Sequence, residues 1–213
     1  GGTVYLQPGA RITDPDGRVT DDLRGSSGYT HLAFLGMRQL EVPWLGAPPP
    51  PWATPGTTIV YEGTRRAEFA QPSGLPPLPG DGVRVAYTFQ RQLGDALLAG
   101  SLFEESNPAR VPMPGTTSQR LFSSNGFDGL WIPPDALARI APGTLLDRDP
   151  FTRLDIVYGG TSGDLHVILA QGTGEVGEFY YDRATGFLAY TRHRRQADRV
   201  GMMVTELGYV GMR

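Results

Sequence analysis

The sequence predicts an all-β protein made of antiparallel meanders that form a sandwich or an open barrel. First, 29 glycines and 19 prolines interrupt the 213 residues too often for long helices. Second, runs of alternating apolar and polar residues recur along the chain, as expected for half-buried strands. Third, the runs are separated by short segments rich in Gly, Pro, Asp and Ser, which favour antiparallel neighbours.

Nine runs are predicted strands, because they are rich in β-branched and aromatic residues and end at turn residues. They cover residues 30–42, 57–64, 83–90, 96–104, 154–158, 164–171, 178–182, 187–194 and 200–210. Residues 11–20 predict an N-terminal hairpin with the turn sequence DPDG. A calcium site is the alternative reading of this region, although the spacing of its acidic residues departs from an EF-hand loop. Its ligands would be Asp14, Asp16, Asp21 and Asp22.

One short helix is predicted over residues 133–140. The proline pair Pro133-Pro134 suits the first turn of a helix, where a backbone N–H is not needed. Pro142-Gly143 prevents the helix from continuing.

The segment 181–188, YDRATGFL, is the clearest predicted hairpin. Asp182 can accept hydrogen bonds from the turn backbone, and Gly186 suits the left-handed region. The segment resembles hairpins of bacterial extracytoplasmic β domains, including lipoprotein-type half-barrels. The resemblance implies an extracytoplasmic location, in the periplasm or at the cell surface. We expect the Gly1-Gly2 start to be a cloning scar or to follow a removed, lipid-anchored N-terminal segment.

Two short patterns occur twice and indicate an internal duplication. The pattern L-x-[V/I]-P occupies residues 40–43 and 130–133, and P-G-T-x-[I/L] occupies residues 55–59 and 142–146. Each Pro-Gly pair predicts a turn with positive φ at the glycine, leading into a strand. We therefore expect an N-terminal hairpin over 1–30, a first β unit over 31–110 and a related second β unit over 111–213. One compact domain is the alternative.

Four consecutive prolines lie between two tryptophans, Trp44 and Trp52, and Trp131 occupies the matching place in the second unit. We interpret the prolines as a rigid strap over the protein's own core, because extended polyproline has little entropy to lose. A ligand for SH3 or WW domains and a stacking platform for sugars are the alternatives. Trp44, Trp52 and Trp131 are candidate binding residues that either seal the sheet or face a partner.

The composition excludes several kinds of chemistry. The chain has no cysteine, and all 19 basic residues are arginine, so thiol catalysis, thiolate metal sites and lysine-dependent mechanisms are excluded. A net charge of −3 argues against a nucleic-acid partner. No apolar run approaches the roughly 20 residues of a membrane helix. No cofactor is expected.

Several local patterns suggest catalysis or ligand binding, and each has a simpler structural interpretation. Residues 172–177 match G-x-G-x-x-G but lead into a predicted strand, which is typical of a hairpin loop. The three histidines, His31, His166 and His193, are far apart in predicted strands, so no metal site is expected. Remaining candidates are a Ser162–Asp164–His166 triad and the carboxylate pairs Asp147/Asp149 and Glu104/Glu105.

The densest basic cluster lies near the C-terminus and comprises Arg192, His193, Arg194, Arg195 and Arg199. We take Arg192, Arg194 and Arg195 as candidate binding residues for a lipid headgroup, phosphate or acidic polysaccharide. A solvated, charge-balanced loop is the alternative.

Because no catalytic motif is visible, we expect a non-enzymatic envelope or cell-surface protein. Its function would be binding another protein or self-assembly through strand edges and the proline-aromatic segment. A carrier of an apolar ligand or lipid in a β-barrel cavity is the first alternative. A hydrolase that uses His166 or the Asp147/Asp149 pair is the second.

Overall fold

The protein was analysed as a computed structural model. It describes residues 3–8, 32–38, 47–69, 80–94, 96–107, 109, 111, 113–123, 129–148, 153–196 and 201–213. The chain divides into two compact units, Gly1–Leu40 and Glu41–Arg213. In the first, β1 (Thr3–Pro8) pairs antiparallel with β2 (Leu32–Arg38). The predicted hairpin at 11–20 and the alternative calcium ligands lie outside the described residues.

The second unit contains one ten-stranded antiparallel sheet, which confirms the predicted all-β class. Its strands are β3 (Thr58–Phe69), β4 (Asp81–Leu93), β5 (Ala96–Ser106), β6 (Thr116–Ser123), β7 (Leu145–Arg148), β8 (Asp155–Ser162), β9 (Leu165–Gly172), β10 (Glu175–Asp182), β11 (Leu188–Gln196) and β12 (Gly201–Met212). Their order in the sheet is β6-β5-β4-β3-β12-β11-β10-β9-β8-β7.

The sheet consists of two meanders, β3–β6 and β7–β12, joined where the first strand pairs with the last. In that central ladder Tyr61 lies opposite Tyr209. Strands β6 and β7 are the two edges, and no ladder joins them within the described part of the chain. The sheet is therefore open. The sheet draws strands from both predicted ranges, 31–110 and 111–213. The division of the chain into two related units stays a prediction.

The predicted helix at 133–140 is a single 3-10 turn, Pro134–Leu137. Its hydrogen bonds span three residues, from Ala136 N to Pro133 O (3.0 Å) and from Ala138 N to Asp135 O (3.3 Å). The segment begins with two prolines, and a new turn opens at Ala141. Too few residues therefore remain between them for an α-helix to nucleate and extend.

The two Pro-Gly-Thr turns have the same hydrogen-bonding pattern. Gly56 and Gly143 have φ of +94° and +84°, as the sequence predicts. Gly56 N donates to Phe89 O (2.8 Å), and Phe89 N donates to Thr57 O (2.9 Å). In the second turn, Gly143 N donates to Tyr158 O (2.7 Å), and Tyr158 N donates to Thr144 O (2.9 Å). Each turn thus begins an outgoing strand and fixes its register against the next one.

The sheet has an inner face that carries most of the core and an outer face rich in charged residues. Residues alternate between the faces along each strand. Inner-face positions such as Ile59, Phe89, Ile156 and Ile168 are fully or almost fully buried. The connector between β6 and β7 also packs into the core, through Leu130, Trp131, Ile132 and Leu137.

Candidate functional site: a cavity on the inner face of the sheet

An aromatic cluster closes one end of the inner face. Trp131 is only 2% exposed and lies edge-on to Trp52, with ring centroids 5.7 Å apart. Trp52 also contacts Phe187 (5.2 Å) and Phe89 (6.4 Å). These tryptophans therefore pack against the protein's own core, and Trp44 lies outside the described residues.

The proline segment leads directly into this cluster, because Trp52 follows its last proline. Ala53, just after the last proline and Trp52, is buried, and its N–H donates to Pro50 O at 2.9 Å. The Thr57 hydroxyl then donates to Trp52 O at 3.1 Å. These bonds tie the segment to the start of β3, which supports the interpretation as a strap over the core.

The connector holds the cluster in place through a short backbone ladder with the β10–β11 hairpin. Ile132 N donates to Gly186 O, and Leu188 N donates to Leu130 O, both at 2.9 Å. A Cβ on Gly186 would lie 1.8 Å from Ile132 O, and the residue has φ of +70°. Glycine is therefore required here for two reasons: the backbone conformation and the close approach of the connector.

Beyond the aromatic cluster lies a cavity of about 310 Å³. Its wall is mainly aromatic and aliphatic, with a few polar side chains. The lining residues are Tyr61, Tyr87, Arg120, Phe122, Leu130, Leu154, Ala170, Glu175, Gly177, Phe179, Leu188, Thr191, His193 and Leu207. Strand β6 contributes Phe122 and β9 contributes Ala170, although in a flat sheet these strands would stand about 33 Å apart. The sheet therefore curves around the cavity.

Small residues on β9 and β10 leave room for this cavity. Ala170 and Gly177 lie opposite each other on neighbouring strands. A Cβ on Gly177 would lie 3.0 Å from Phe179 Cε2 and 3.1 Å from His193 Cε1. Larger residues at these two positions would thus fill the space or displace the rings that line it.

Polar side chains of the cavity lie on β10 and β11, and Arg120 on β6 also lines it. Thr191 stands opposite Phe179, His193 opposite Gly177, and Glu175 opposite Arg195. The His193 ring packs edge-on to Phe179, with centroids 5.3 Å apart. Across the cavity, the guanidinium of Arg120 lies 5.0 Å from the centroid of Phe122. The site thus combines a broad apolar wall with the polar side chains of β10 and β11 and the guanidinium of Arg120.

The outer face of β11 differs from the cavity side of the same strand, because its arginines pair with carboxylates. Arg194 Nη2 donates to Glu178 Oε1 (2.5 Å), and Arg192 Nε lies 3.2 Å from Glu206 Oε1. Arg66 Nη1 donates to Glu206 Oε2 (2.5 Å) and is the main reason why the pKa of Glu206 lies below its usual value. Opposite charges therefore alternate across β10, β11, β12 and β3.

The predicted basic binding cluster is split between the two faces. Arg192 and Arg194 lie on the outer face, where they pair with Glu206 and Glu178. Arg195 points to the inner side, as strand alternation requires, and is exposed. Arg199 lies outside the described residues. The structure therefore does not bring the three predicted binding residues together.

His166 is buried, but its environment is not that of a catalytic triad. Its Nδ1 is 2.8 Å from the Tyr158 hydroxyl. Burial and then the charge of Arg183 lower the pKa of His166, while a backbone hydrogen bond to Pro134 opposes the shift. Ser162 and Asp164 are exposed. The imidazole thus links two strands to the 3-10 turn, beside a cleft of about 640 Å³.

Of the two predicted carboxylate pairs, only Glu104/Glu105 lies wholly within the described residues. Asp147 is buried and accepts a hydrogen bond from Arg148 N (2.8 Å), whereas Asp149 lies outside the described residues. Glu104 pairs with Arg84 at 2.6 Å on the outer face. Glu105 pairs with Arg65 on the inner face. Strand alternation separates these neighbours.

Within the described ranges, no group of three or more His, Asp or Glu side chains is placed to hold a metal ion. Over the same residues, no helix has both the length and the apolar character needed to cross a bilayer.

The chain matches no protein-family model, no curated protein and no solved structure. Its class is therefore defined by the fold and the site: an open, curved, antiparallel β protein with an apolar cavity on its inner face. Sequence reasoning missed most of the lining residues. The available signal was the alternation of Thr191, His193 and Arg195 in one strand, but the partner strands and their register are needed to place these side chains at a cavity.

Proposed function

We propose that this protein binds a small, largely apolar molecule in the cavity on the inner face of its sheet. The observation that carries the proposal is the cavity of about 310 Å³ between facing parts of one curved sheet. Its size lies at the lower end of the range for small-molecule sites, and its composition, mainly apolar with a few polar groups, is typical of them.

The packing around the cavity supports the proposal. Protein interiors are normally close-packed, and an unfilled apolar space forfeits dispersion contacts for every side chain that lines it. Here the rings of Tyr87 and Phe122 pack edge-on, with centroids 5.0 Å apart, as in a packed core. Both rings also line the cavity. A ligand with rings or a short chain would recover these contacts.

The experiment that tests the proposal is a titration with the neutral fluorescent probe N-phenyl-1-naphthylamine. We expect saturable binding to the wild-type protein and at least about tenfold weaker binding to Ala170→Phe, whose ring would occupy the cavity. Gln171→Phe is the matched control, because the neighbouring residue is exposed on the other face of the same strand.

Circular dichroism and thermal melts would verify that both variants fold. If Ala170→Phe fails to fold, the smaller change Ala170→Leu provides the same comparison. Equal binding by the Ala170 and Gln171 variants would place the probe outside the cavity and contradict the proposal.

Assembly through a strand edge is a second candidate function, favoured by one observation. Strand β6 is an edge of the sheet, and its Leu121 is 57% exposed. Exposed edges with apolar side chains can pair with another chain. Light scattering should then detect dimers that Leu121→Lys dissociates, whereas a monomer at all concentrations would remove self-assembly as a function.

A further inference from the structure

The polar row on the inner side of β11 comprises Thr191, His193 and Arg195, and its polar groups have no hydrogen-bonding or ionic partner in the described part of the chain, unlike those on the outer side of the same strand. Among the described residues, no hydrogen bond or ion pair involves the side chains of Thr191, His193 or Arg195. Thr191 and His193 line the cavity, and Arg195 follows them on the same side. Three consecutive inward positions thus present donors that no described residue accepts from.

We propose that the cavity ligand is a compact apolar acid, which extends the binding function proposed above. Its carboxylate, or a similar acceptor group, would meet Thr191, His193 and Arg195. Its apolar body would lie against the rings and leucines at the other side of the cavity. Hydrogen bonds from charged donors to a carboxylate are among the stronger ones, so the polar row orients the ligand.

The balance of groups in the row favours an acid over an amine. The Thr191 hydroxyl, the ring N–H of His193 and the guanidinium of Arg195 can all donate to a carboxylate. Glu175 is the acidic residue of the lining, and it lies directly across the strand pair from Arg195, whose charge offsets its own. Arg120 is the arginine among the lining residues, and its guanidinium lies over the ring of Phe122.

The test uses three ligands with one chain and different head groups: decanoate, 1-decanol and decylammonium. Each would be titrated against bound N-phenyl-1-naphthylamine near neutral pH. Decanoate should displace the probe at a concentration at least about tenfold lower than decylammonium, since it gains charge-assisted hydrogen bonds that the ammonium lacks. Decanol should fall between them.

Variants identify the groups responsible. Arg195→Gln and Thr191→Val should each reduce the advantage of decanoate over decanol, measured as the ratio of the concentrations at which they displace the probe. Arg139→Gln is the matched control, because Arg139 is an exposed arginine in the connector. Glu175→Gln should strengthen decanoate binding slightly by removing a like charge.

The outcomes separate this inference from the proposed function. If the neutral probe does not bind, the proposed function itself fails. If the probe binds but all three head groups compete equally, the cavity is real and the acid assignment is wrong. If decylammonium competes best and Glu175→Gln abolishes its advantage, the ligand is a cation and the acid assignment is overturned.

Discussion

The two faces of strand β11 differ in how their polar groups are used. On the outer face, Arg192 and Arg194 pair with Glu206 and Glu178, and the Tyr190 side chain is hydrogen-bonded to Glu206. Burial first, and then the hydrogen bond to Glu206, raise the pKa of Tyr190 to about 12. On the inner face, Thr191 and His193 line a cavity, and neither pairs with a carboxylate in the described part of the chain.

This difference separates residues that stabilise the sheet from residues that remain open to a ligand. The outer pairs also cover Val204, which is fully buried although it points outward, beneath the stems of the paired arginines opposite it. Thr191 and His193 on the inner face, by contrast, line the cavity. Substitutions on the outer face should therefore alter stability, and those on the inner face should alter binding.

The largest effect should come from the connector that seals the inner face. Gly186→Ala places a Cβ against Ile132 O and should lower the free energy of unfolding by about 3 kcal/mol or more, because backbone atoms must shift. Gly163→Ala is the control, since Gly163 also has positive φ (+58°) but open space around it. It should cost only about 1 kcal/mol. Urea unfolding of both variants measures the difference, and equal losses would contradict the docking of the connector.

On the outer face, Glu178→Ala should lower the free energy of unfolding by about 2 kcal/mol. Glu178 is 8% exposed and accepts hydrogen bonds from Arg194 and from the Tyr180 hydroxyl (2.8 Å). Its loss leaves a partly exposed arginine without a partner, so the cost stays below that of a fully buried pair. Chemical denaturation should show the loss, and a change within about 0.5 kcal/mol would mean that the outer pairs contribute little.

Acid should weaken the outer face through Glu206. Its pKa is lowered in the folded protein, first by the hydrogen bond from Arg66, so its stabilising contribution is complete above the unfolded pKa. That contribution, up to about 1 kcal/mol for a partly exposed pair, is lost as the pH falls through the folded pKa. Unfolding experiments from pH 7 to pH 2 should show a smaller acid-induced loss for Glu206→Gln than for wild type. An identical pH dependence would contradict this role.

The smallest effect on stability is expected on the inner face of β11. His193→Ala should change the free energy of unfolding by no more than about 0.5 kcal/mol, because the ring is exposed and forms no hydrogen bond with any described residue. Thermal and urea unfolding would check this value. A loss as large as that of Glu178→Ala would remove the distinction between the two faces.

Local sequence patterns predicted much of the fold. Strands β8 and β9 alternate clearly between buried and more exposed positions, and the two Pro-Gly-Thr turns have the positive φ that their glycines indicate. Strand β6 was missed because Ser118 and Arg120 occupy its inward positions, so it lacks apolar alternation. Its assignment depends on pairing with β5, which is a long-range interaction.

The candidate site was less accessible to sequence reasoning. The basic residues from Arg192 to Arg195 form a cluster in the sequence, but strand alternation divides them between two faces with different partners. The cavity depends on curvature that brings Phe122 and Ala170 to one space from distant strands. Neither residue is unusual in its local sequence, so only the folded sheet identifies the site.

The most direct measurement of the central claim is the affinity of N-phenyl-1-naphthylamine for the wild-type protein and for Ala170→Phe, determined under identical conditions. We predict a saturating fluorescence increase with the wild type that is strongly reduced in the variant, while both proteins give the same circular dichroism spectrum. An absence of saturable binding to the wild type, or equal binding to both proteins, would contradict a ligand site on the inner face.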